Sequence, residues 1–339
     1  MNRHLSVYMP SNRNLERSYG AIATALAFCE SRNATLIVSD NSGDPEKPRF
    51  WQGRSEALQY LENGPPTALS NALNAMRKVE TPFLMPIGDD DELGIDAAHT
   101  PVDLASLDEN YVGVRPLTDI FLPDRGSLLS RSFSIDSETP GMRLREYVMK
   151  SDGDNTGYYS IFRTRPYRSL IEFFAAHHPT RGAYCDWQLA FALFSFGKVA
   201  SDPSVVFRYN ASGWASAEAI AATNLKSYTE AGLPQHFERC WLLLRGMDLH
   251  VFVCRRSGEF PVGVANTLLA GEVGDLTDYG LADIVRNAEN CPPGAADMAQ
   301  KALKERNPTV KYLIGAGIAE LFVPGLKVAY INFLKAAAR

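Results

Sequence analysis

Three short apolar segments, each followed at once by a polar loop, constrain the fold of this chain more than any other feature. Residues 5–9, 34–38 and 83–87 are apolar and β-prone, and helical patterns over 15–28 and 68–79 separate them. Strands joined through helices run parallel, because that connection covers both faces of each strand. The carboxyl ends of parallel strands meet at one edge of the sheet, where open α/β sheets bind ligands. We therefore expect the three polar loops to form one site.

Composition limits the class of protein and its partners. With 339 residues, 45% of them hydrophobic and 22% charged, the chain is long enough for two globular domains with sizeable cores. The net charge of −5 provides no basic field for a polyanion, so we expect no nucleic-acid partner. Five widely spaced cysteines without a Cys-x-x-Cys pair predict neither a disulfide framework nor a zinc site, which favours a reducing, cytoplasmic location.

The alternation of strand and helix is lost in the second half of the chain. Helical patterns dominate from residue 217 onward, so we predict a sheet-containing domain over residues 1–215 and a helical domain over 216–339. The last helix, 325–339, carries apolar residues at helical spacing. It can pack on its own protein, form a homo-oligomer interface or contact the inner face of a membrane peripherally, since the apolar runs are too short to span one.

Three adjacent aspartates, Asp89 to Asp91, directly follow the third predicted strand and are the strongest local signal. Adjacent carboxylates repel one another unless a cation neutralises them, and hard ions such as Mn²⁺ or Mg²⁺ take oxygen ligands. Such ions share their remaining positions with a diphosphate. We therefore predict a metal at Asp89 and Asp91 and a phosphorylated ligand bound through it. An acidic turn facing solvent is the alternative for an isolated triplet of this kind.

Other polar side chains are predicted to complete this site. Asp40 ends the second strand, where a carboxylate can accept hydrogen bonds from a pyrimidine imide or from ribose, and Asn41 follows it. Asn71 and Asn74 share one helix face through their spacing and either contact the diphosphate or face solvent. The loop after the first strand can line a nucleoside pocket with Pro10, Ser11, Asn12 and Arg13.

These segments together resemble the nucleotide-sugar half of family 2 glycosyltransferases with the GT-A fold. The resemblance rests on residues 7–13 (VYMPSNR), 37–42 (IVSDNS) and 83–91 (FLMPIGDDD). In that family the aspartate after the second strand binds the nucleobase, and an Asp-x-Asp segment holds the metal and the donor diphosphate. The resemblance implies those roles for Asp40 and for the pair Asp89 and Asp91, with Asp90 beside the donor.

A second stretch is similar to the acceptor side of the same family. Residues 183–189 (AYCDWQL), followed by 196–199 (FGKV) and 206–209 (VFRY), match the segment in which an aspartate at a helix start is the catalytic base. That position falls on Asp186, and Cys185 replaces the acidic residue that usually precedes the base. A helix cap, or a carboxylate that favourably meets the helix macrodipole, is the structural alternative for Asp186.

Candidate acceptor contacts lie in separate segments and comprise Asp154, Asn155, Trp187 and Trp214. Either tryptophan can stack on a sugar ring or belong to the core, and the two polar residues are equally typical of a simple turn. His177 and His178 end a predicted helix before Pro179. Histidines in that position usually compensate the helix dipole at the surface, so we assign them no role.

The sequence predicts an α/β protein with a GT-A type, Rossmann-like mixed sheet flanked by helices and a mainly helical C-terminal region. The resemblance implies a metal-dependent, inverting glycosyltransferase that uses Mn²⁺ or Mg²⁺. It would move a sugar from a nucleoside-diphosphate sugar, UDP-linked by preference, to a saccharide or lipid-linked glycan precursor. Two alternatives stay open: a non-catalytic nucleotide-sugar-binding or scaffold protein of the same fold, and a sugar nucleotidyltransferase. The second would need a glycine-rich phosphate loop, which residues 10–13 do not supply.

Overall fold

The computed structural model describes residues 3–152, 154–180, 185–255 and 260–338. The chain divides into two compact units, each built from three segments. The first unit contains Met1–Asp136, Met149–Glu172 and Phe196–Ile220. The second contains Ser137–Val148, Phe173–Ser195 and Ala221–Arg339.

The N-terminal third of the chain forms the parallel half of a sheet in the first unit. Its strands are β1 (Leu5–Ser11), β2 (Thr35–Asp40), β3 (Leu58–Leu61) and β4 (Phe83–Pro86), ordered β3-β2-β1-β4. The connecting helices are α1 (Leu15–Ser31), α2 (Glu46–Trp51) and α3 (Ala68–Met76). All three predicted strands and both predicted helices are confirmed, whereas the sequence analysis does not predict α2 and β3. Both are short, and neither shows a clear apolar period.

Burial explains why β1 and β2 lack the alternation of a half-exposed strand. Val7 and Tyr8 on β1, and Leu36 and Ile37 on β2, project from opposite faces of the sheet, and each is at most 1% exposed. Parallel strands covered on both faces are expected to be continuously apolar. Helix α1 begins at a defined residue because the side chain of Asn14 accepts a hydrogen bond from the Arg17 amide.

The second half of the sheet is mixed. It contains β5 (Glu92–Ile95), β6 (Tyr111–Leu122), β7 (Gly126–Arg131), β8 (Ile161–Arg163) and β9 (Lys198–Asn210). Strand β8 runs antiparallel to β4 and β6, β6 runs parallel to β9, and β9 runs antiparallel to β5. Within the described ranges this gives a nine-stranded sheet ordered β3-β2-β1-β4-β8-β6-β9-β5, with β7 added to β6. The predicted α/β class, a mixed sheet with flanking helices and a helical C-terminal region, is confirmed.

The second unit is helical. The helices that lie wholly or partly in it are α4 (Pro140–Ser151), α5 (Thr164–His177), α6 (Cys185–Phe196), α7 (Ala217–Glu230), α8 (Trp241–Arg255), α9 (Val262–Ala270), α10 (Glu272–Arg286), α11 (Ala295–Lys304), α12 (Pro308–Phe322) and α13 (Leu326–Ala337). This division differs from the single boundary expected after residue 215, because residues 137–148 and 173–195 join the C-terminal helices. Helix α6 is apolar on nearly all sides, so other helices must cover it; Tyr147 of α4 packs edge-on against its Phe194 at 4.6 Å.

The apolar face of α13 is packed inside the second unit. Leu326, Tyr330, Phe333 and Ala337 on this face are buried, and Phe333 stacks on Phe173 at 5.4 Å between ring centroids. Of the three interpretations of the C-terminal helix, this geometry supports packing on its own protein. Among the described residues no helix combines the length and the hydropathy needed to cross a bilayer.

Helices α8 and α10 approach closely at two glycines. A Cβ atom on Gly280 would lie 2.5 Å from the Cα of Leu243, and one on Gly246 would lie 2.7 Å from the Cα of Thr277. Side-chain contacts as short as these are not tolerated, and the clashing atoms belong to the backbone. The absence of a side chain at both positions therefore sets the distance between the two helices.

We expect Gly280→Ala to lower the free energy of unfolding of the second unit by about 1–3 kcal/mol, the usual cost of overpacking. Gly263→Ala is the matched control, since a Cβ at that helical position meets nothing within 4 Å. The control should be neutral or should stabilise by up to about 1 kcal/mol. Urea unfolding followed by far-UV circular dichroism measures both, and equal stability of the two variants would contradict the close-packing interpretation.

Candidate functional site

The ends of β1, β2 and β4 bring the predicted polar loops together in the first unit. Oδ2 of Asp89 accepts hydrogen bonds from the Ser11 hydroxyl at 2.8 Å and from the amides of Asn12 and Arg13 at 3.0 Å each. The Arg13 guanidinium pairs with Oδ1 of Asp89 and donates to Oδ2 of Asp90 at 2.7 Å. The loop after β1 is therefore fastened to the acidic triplet after β4, as the parallel topology predicts.

The three adjacent aspartates differ in charge state because their surroundings differ. Burial opposes ionisation of Asp89, but the charge of Arg13 and the donors around Oδ2 outweigh it and hold the pKa of Asp89 below its usual value. Burial, followed by the negative charge of Asp90, raises the pKa of Asp91 to about 8. Burial also raises the pKa of Asp90, against the pull of Arg13. Asp89 is thus a stable anion, and Asp91 holds its proton at neutral pH.

A small space in front of Gly88 separates two of these carboxylates. A Cβ atom on Gly88 would lie 2.8 Å from Oδ2 of Asp91 and 2.9 Å from Oδ1 of Asp90, so both oxygens face the same point. Oδ1 of Asp91 accepts from the Asn210 amide at 2.9 Å. Two carboxylate oxygens directed at one space are a donor set that suits a hard divalent cation. Asp89 fits this role less well, because both of its oxygens already accept hydrogen bonds.

The predicted metal pair, Asp89 and Asp91, stays a prediction, and the geometry offers a second pairing. The sequence assigns the metal to Asp89 and Asp91, whereas the geometry favours Asp90 and Asp91 and gives Asp89 to Arg13. A diphosphate would have to supply further ligands, since no group of three or more histidine, cysteine or acidic side chains that could hold a metal occurs in the described part of the chain. Sequence spacing alone could not separate these two pairings.

Asp40 is the centre of a second buried cluster, next to the first. Its Oδ1 accepts from Lys47 Nζ at 2.9 Å and its Oδ2 from the Tyr60 hydroxyl at 2.7 Å. Lys47 is fully buried, and its Nζ also donates to the Ser11 hydroxyl at 2.6 Å and to the Arg13 carbonyl at 2.8 Å. Burial, together with the bond to Asp40, raises the pKa of Tyr60. Ser11 thus links Lys47 and Asp40 to Asp89.

Sequence reasoning missed Lys47. It lies two residues after a run of turn formers, 39–45, where a lysine normally faces solvent, and no local pattern marks it as buried. The paired acid, Asp40, was found because it ends a strand. A buried carboxylate such as Asp40 needs a cationic partner. This need is the one signal in the sequence that could have pointed to a nearby lysine.

A cleft of about 620 Å³ opens beside this cluster at the ends of β2 and β3. This volume lies within the range of small-molecule sites. Asn41 is fixed at its edge, because its side-chain amide donates to the Pro65 carbonyl at 2.7 Å. The residues that line the cleft include Asp40, Asn41, Asp44, Arg49, Glu62 and Gly64.

Asn71 is buried, so it does not match the solvent-facing alternative of the sequence analysis. It is 2% exposed, donates to the Ser39 carbonyl at 2.9 Å and accepts from the Ser39 hydroxyl at 2.6 Å. It therefore ties α3 to the end of β2. Asn74 is partly buried and donates to the same hydroxyl at 2.9 Å. Asn71 and Asn74 on α3 therefore bond to Ser39 at the end of β2, and the contact of Asn71 with a ligand stays a prediction.

Asp186 lies in the first turn of α6, in the second unit. Its Oδ1 accepts from the Trp187 amide at 2.9 Å, and its side chain is half-buried. The Trp187 ring stacks on Phe191 at 3.8 Å, and the Arg245 guanidinium lies 4.9 Å from its centroid. Trp187 is thus engaged within its own unit. Tyr184, which precedes Asp186 in the matching segment, lies outside the described residues, as does most of the chain just before α6.

The remaining candidate acceptor residues have defined local roles in the first unit. Trp214 is 41% exposed and donates its indole N–H to the Tyr209 hydroxyl at 2.7 Å. Asp154 caps a 3-10 turn by accepting from the Thr156 amide at 2.9 Å, and Asn155 precedes that turn. Arg131 reaches Oδ2 of Asp154 at 3.1 Å. An acceptor contact of Trp214 stays a prediction, and Asp154 has the turn geometry given as its alternative.

His178 is buried, which makes its interpretation as a surface group wrong. Its side chain is 1% exposed, and its Nε2 lies 3.0 Å from Oδ2 of Asp248. Its ring stacks on Phe174 at 3.9 Å. His177 is exposed, as expected of a helix-end residue. The sequence pattern could not distinguish the two neighbours, because the partner of His178 lies on a helix 70 residues away.

Comparison with known proteins gives no match to a family model and no match to a curated protein sequence. Solved structures with similar folds include TarS from S. aureus, with 12% identity over 92% of this chain and a TM-score of 0.41. This chain spans 55% of the length of that TarS chain. TarS 1–349 in complex with UDP-GlcNAc has 14% identity, with 92% of this chain and 90% of that chain covered and a TM-score of 0.40.

A third solved structure is the mannosyltransferase PcManGT from Pyrobaculum calidifontis in complex with GDP-Man and Mn²⁺. It has 13% identity, with 100% of this chain and 86% of that chain covered and a TM-score of 0.39. Likeness at this level does not extend to function. The functional interpretation of this chain therefore depends on its own residues.

The raised pKa of Asp91 predicts that the metal-free protein loses stability as pH rises. The unfolded chain ionises this carboxyl near pH 4, whereas the folded protein ionises it at about pH 8. The unfolded state thus binds fewer protons between these values, and folding becomes less favourable with rising pH, by a total on the order of a few kcal/mol. Asp91→Asn should remove this slope.

Urea unfolding of the wild type and of Asp91→Asn at several pH values between 5 and 8, with chelator present, measures the difference. Burial lowers the pKa of His250 to about 4, and this contributes a slope of opposite sign below about pH 6.5. That contribution is common to both proteins and cancels in the comparison. Identical slopes for the two proteins would contradict a protonated Asp91.

Removing the buried cation beside Asp40 should destabilise the first unit strongly. We expect Lys47→Met to lower the free energy of unfolding by about 3–5 kcal/mol, because it leaves a buried carboxylate without its partner. Adding Asp40→Asn to Lys47→Met should recover part of the loss. Lys301→Met, on the exposed face of α11, is the control and should change stability by less than about 0.5 kcal/mol. A Lys47→Met protein as stable as the control would show that the ion pair is dispensable.

Proposed function

We propose that this protein is a metal-dependent, inverting glycosyltransferase that uses a nucleoside-diphosphate sugar. The observation that carries the proposal is the convergence of Arg13, Asp40 and the Asp89–Asp91 triplet at the carboxyl edge of the parallel strands. A cleft of about 620 Å³ lies beside Asp40, and Lys47 and Ser11 link Asp40 by hydrogen bonds to Asp89 of the acidic triplet. The resemblance of residues 3–215 to family 2 enzymes supports the same assignment.

The donor side is assigned to the first unit. The cleft beside Asp40 and Asn41 would take the nucleoside, for which UDP is the first choice. Asp40 reaches the cleft while its oxygens bond to Lys47 and Tyr60, so its role is to set the charge and shape of the wall. Asp90 and Asp91 would hold a divalent cation, which when bound stabilises the negative charge that develops on the departing diphosphate.

The acceptor side is assigned to the segment that carries Asp186. The hydroxyl of a saccharide or lipid-linked glycan precursor attacks the anomeric carbon of the donor as the bond from that carbon to the diphosphate oxygen breaks. The hydroxyl proton passes to the carboxylate of Asp186. One displacement of this kind inverts the anomeric centre. The half-buried position of Asp186 at the first turn of α6 is consistent with a side chain that meets a second substrate.

Binding of the donor is tested by thermal shift with UDP, UDP-GlcNAc and GDP-mannose, each with and without Mn²⁺. A true ligand at 100 times its Kd should stabilise the protein by about 2.7 kcal/mol. We expect Asp91→Asn to lose the metal-dependent part of the shift. Asp124→Asn, at a carboxylate 74% exposed, is the matched control and should behave as wild type. Absence of any nucleotide-dependent shift in the wild type would remove the proposal.

Transfer is tested separately with Asp186→Asn. The variant should bind the donor as tightly as wild type and should lose transfer to acceptor and slow hydrolysis of the donor by a factor of about 100 or more. Release of nucleoside diphosphate, measured with a coupled assay, reports both reactions. Wild-type turnover by the variant would exclude Asp186 as the base. Binding without any turnover by the wild type would favour a non-catalytic nucleotide-sugar-binding protein.

A further inference from the structure

A single buried carboxylate in the second unit contacts both ends of the segment that carries Asp186. Asp248 lies on α8 with a side chain that is 1% exposed. Its Oδ2 accepts from Gln188 Nε2 at 3.2 Å and lies 3.0 Å from His178 Nε2. His178 precedes Asp186 by eight residues and Gln188 follows it by two. One oxygen atom is therefore shared between the two ends of an eleven-residue stretch, 178–188.

The contacts around His178 fix the orientation of its ring. The Thr180 amide lies 3.3 Å from Nδ1 of the ring, and an amide can only donate, so Nδ1 is the acceptor. The other ring nitrogen, Nε2, lies 3.0 Å from Oδ2 of Asp248. The Phe174 ring stacked at 3.9 Å holds the plane of the imidazole. The histidine is thus oriented from three directions.

Gln188 fixes the rotation of the first turn of α6. It is fully buried, whereas Asp186 on the same turn is half-buried. Two residues along an α-helix are separated by about 200° around the axis. When Gln188 is drawn into the core by Asp248, Asp186 must therefore face nearly the opposite way. The bond between Gln188 and Asp248 thus helps to set the face of α6 on which Asp186 lies.

A carboxylate is an expensive group to bury for packing alone. Removing a charge from water costs several kcal/mol even after relaxation, and an apolar residue of similar volume often gives equal or better stability. Among the described residues, the side chains within hydrogen-bond distance of the Asp248 carboxylate are those of His178 and Gln188. Such a group is explained better by the geometry that it imposes than by the stability that it adds.

We infer that Asp248 is a positioning residue that, through His178 and Gln188, sets the direction of Asp186 for transfer. This inference rests on the proposed function, because it gives a consequence to the placement of Asp186. Asp248 touches neither substrate in this role. Its loss should lower kcat and leave the affinity for the donor unchanged, since the donor groups belong to the other unit.

The experiment compares four variants in the full-length protein with UDP-GlcNAc or whichever donor proves active. Asp248→Leu removes the shared acceptor and should lower kcat by about 100-fold, the scale of a misplacement near 1 Å. Gln188→Leu and His178→Phe each remove one tie and should lower kcat by about 10-fold. Asp248→Asn keeps an acceptor oxygen at the same place and should restore most of the Asp248→Leu loss. KM for the donor should stay within about twofold of wild type throughout.

Tyr312→Phe is the control for a general loss of packing in this unit. It removes one buried hydrogen bond, from the Tyr312 hydroxyl to the Tyr330 carbonyl at 2.8 Å, and leaves the bonds of Asp248 to His178 and Gln188 in place. We expect its kcat and KM to match wild type. An equal loss of kcat in Tyr312→Phe and Gln188→Leu would overturn the positioning role and leave a structural one.

Amide hydrogen exchange separates this inference from the proposed function. Asp248→Asn, Gln188→Leu and His178→Phe are each compared with wild type for protection at residues 185–190. We expect faster exchange there in Gln188→Leu and His178→Phe, with the rest of α8 and α10 unchanged. That result supports the tie even if the wild type transfers no sugar. Unchanged exchange in both variants, or wild-type kcat in a folded Asp248→Leu or Gln188→Leu protein, would overturn it.

Discussion

The buried ammonium group of Lys47 is the interaction on which the candidate donor site depends. Its three hydrogen bonds reach the end of β1, the backbone of the following loop and the end of β2. Neighbouring parallel strands present carbonyl groups and acidic side chains at this edge, and they would repel one another without a cation. One lysine from the short helix α2 therefore joins two strand ends, and through Ser11 it also fixes the orientation of Asp89. Asp89 is thus held in its orientation by the protein alone, before any ligand binds.

Much of the first unit could be predicted from its sequence, because continuous apolar strands and polar loops have a direct physical cause. The strands β1, β2 and β4, the helices α1 and α3, and the meeting of their loops follow from burial on both faces and from the geometry of parallel connections. What the sequence did not reveal is how the polar groups are shared. Asn71 satisfies the backbone of β2, and Asp89 is taken up by Arg13. Such assignments depend on distances between segments that no local pattern records.

In the second unit, too, the sequence predicts the helices but not the contacts between distant segments. Its helices are visible in the sequence as apolar periodicity, but the division of the chain is not, since residues 137–148 and 173–195 leave the first unit to join them. His178 looked like a surface residue because its neighbours Pro179 and His177 are typical of a helix end. Its partner Asp248 lies in a helix whose pattern is ordinary. Only the three-dimensional packing makes this pair a buried one.

The charge states around Gly88 bear on how a polyanion can approach an acidic edge at all. Written in sequence, three successive aspartates after Gly88 and a fourth at position 40 suggest a surface that repels phosphate. In the folded chain Arg13 pairs with Asp89 and Asp90, and Lys47 pairs with Asp40. Asp91 keeps its proton at neutral pH. The two cationic side chains do not outnumber the carboxyl groups that they face, so the cluster carries no net positive charge. A divalent ion bound there would make the local electrostatic field positive. An incoming diphosphate would then be attracted, although the sequence alone suggests that it would be repelled.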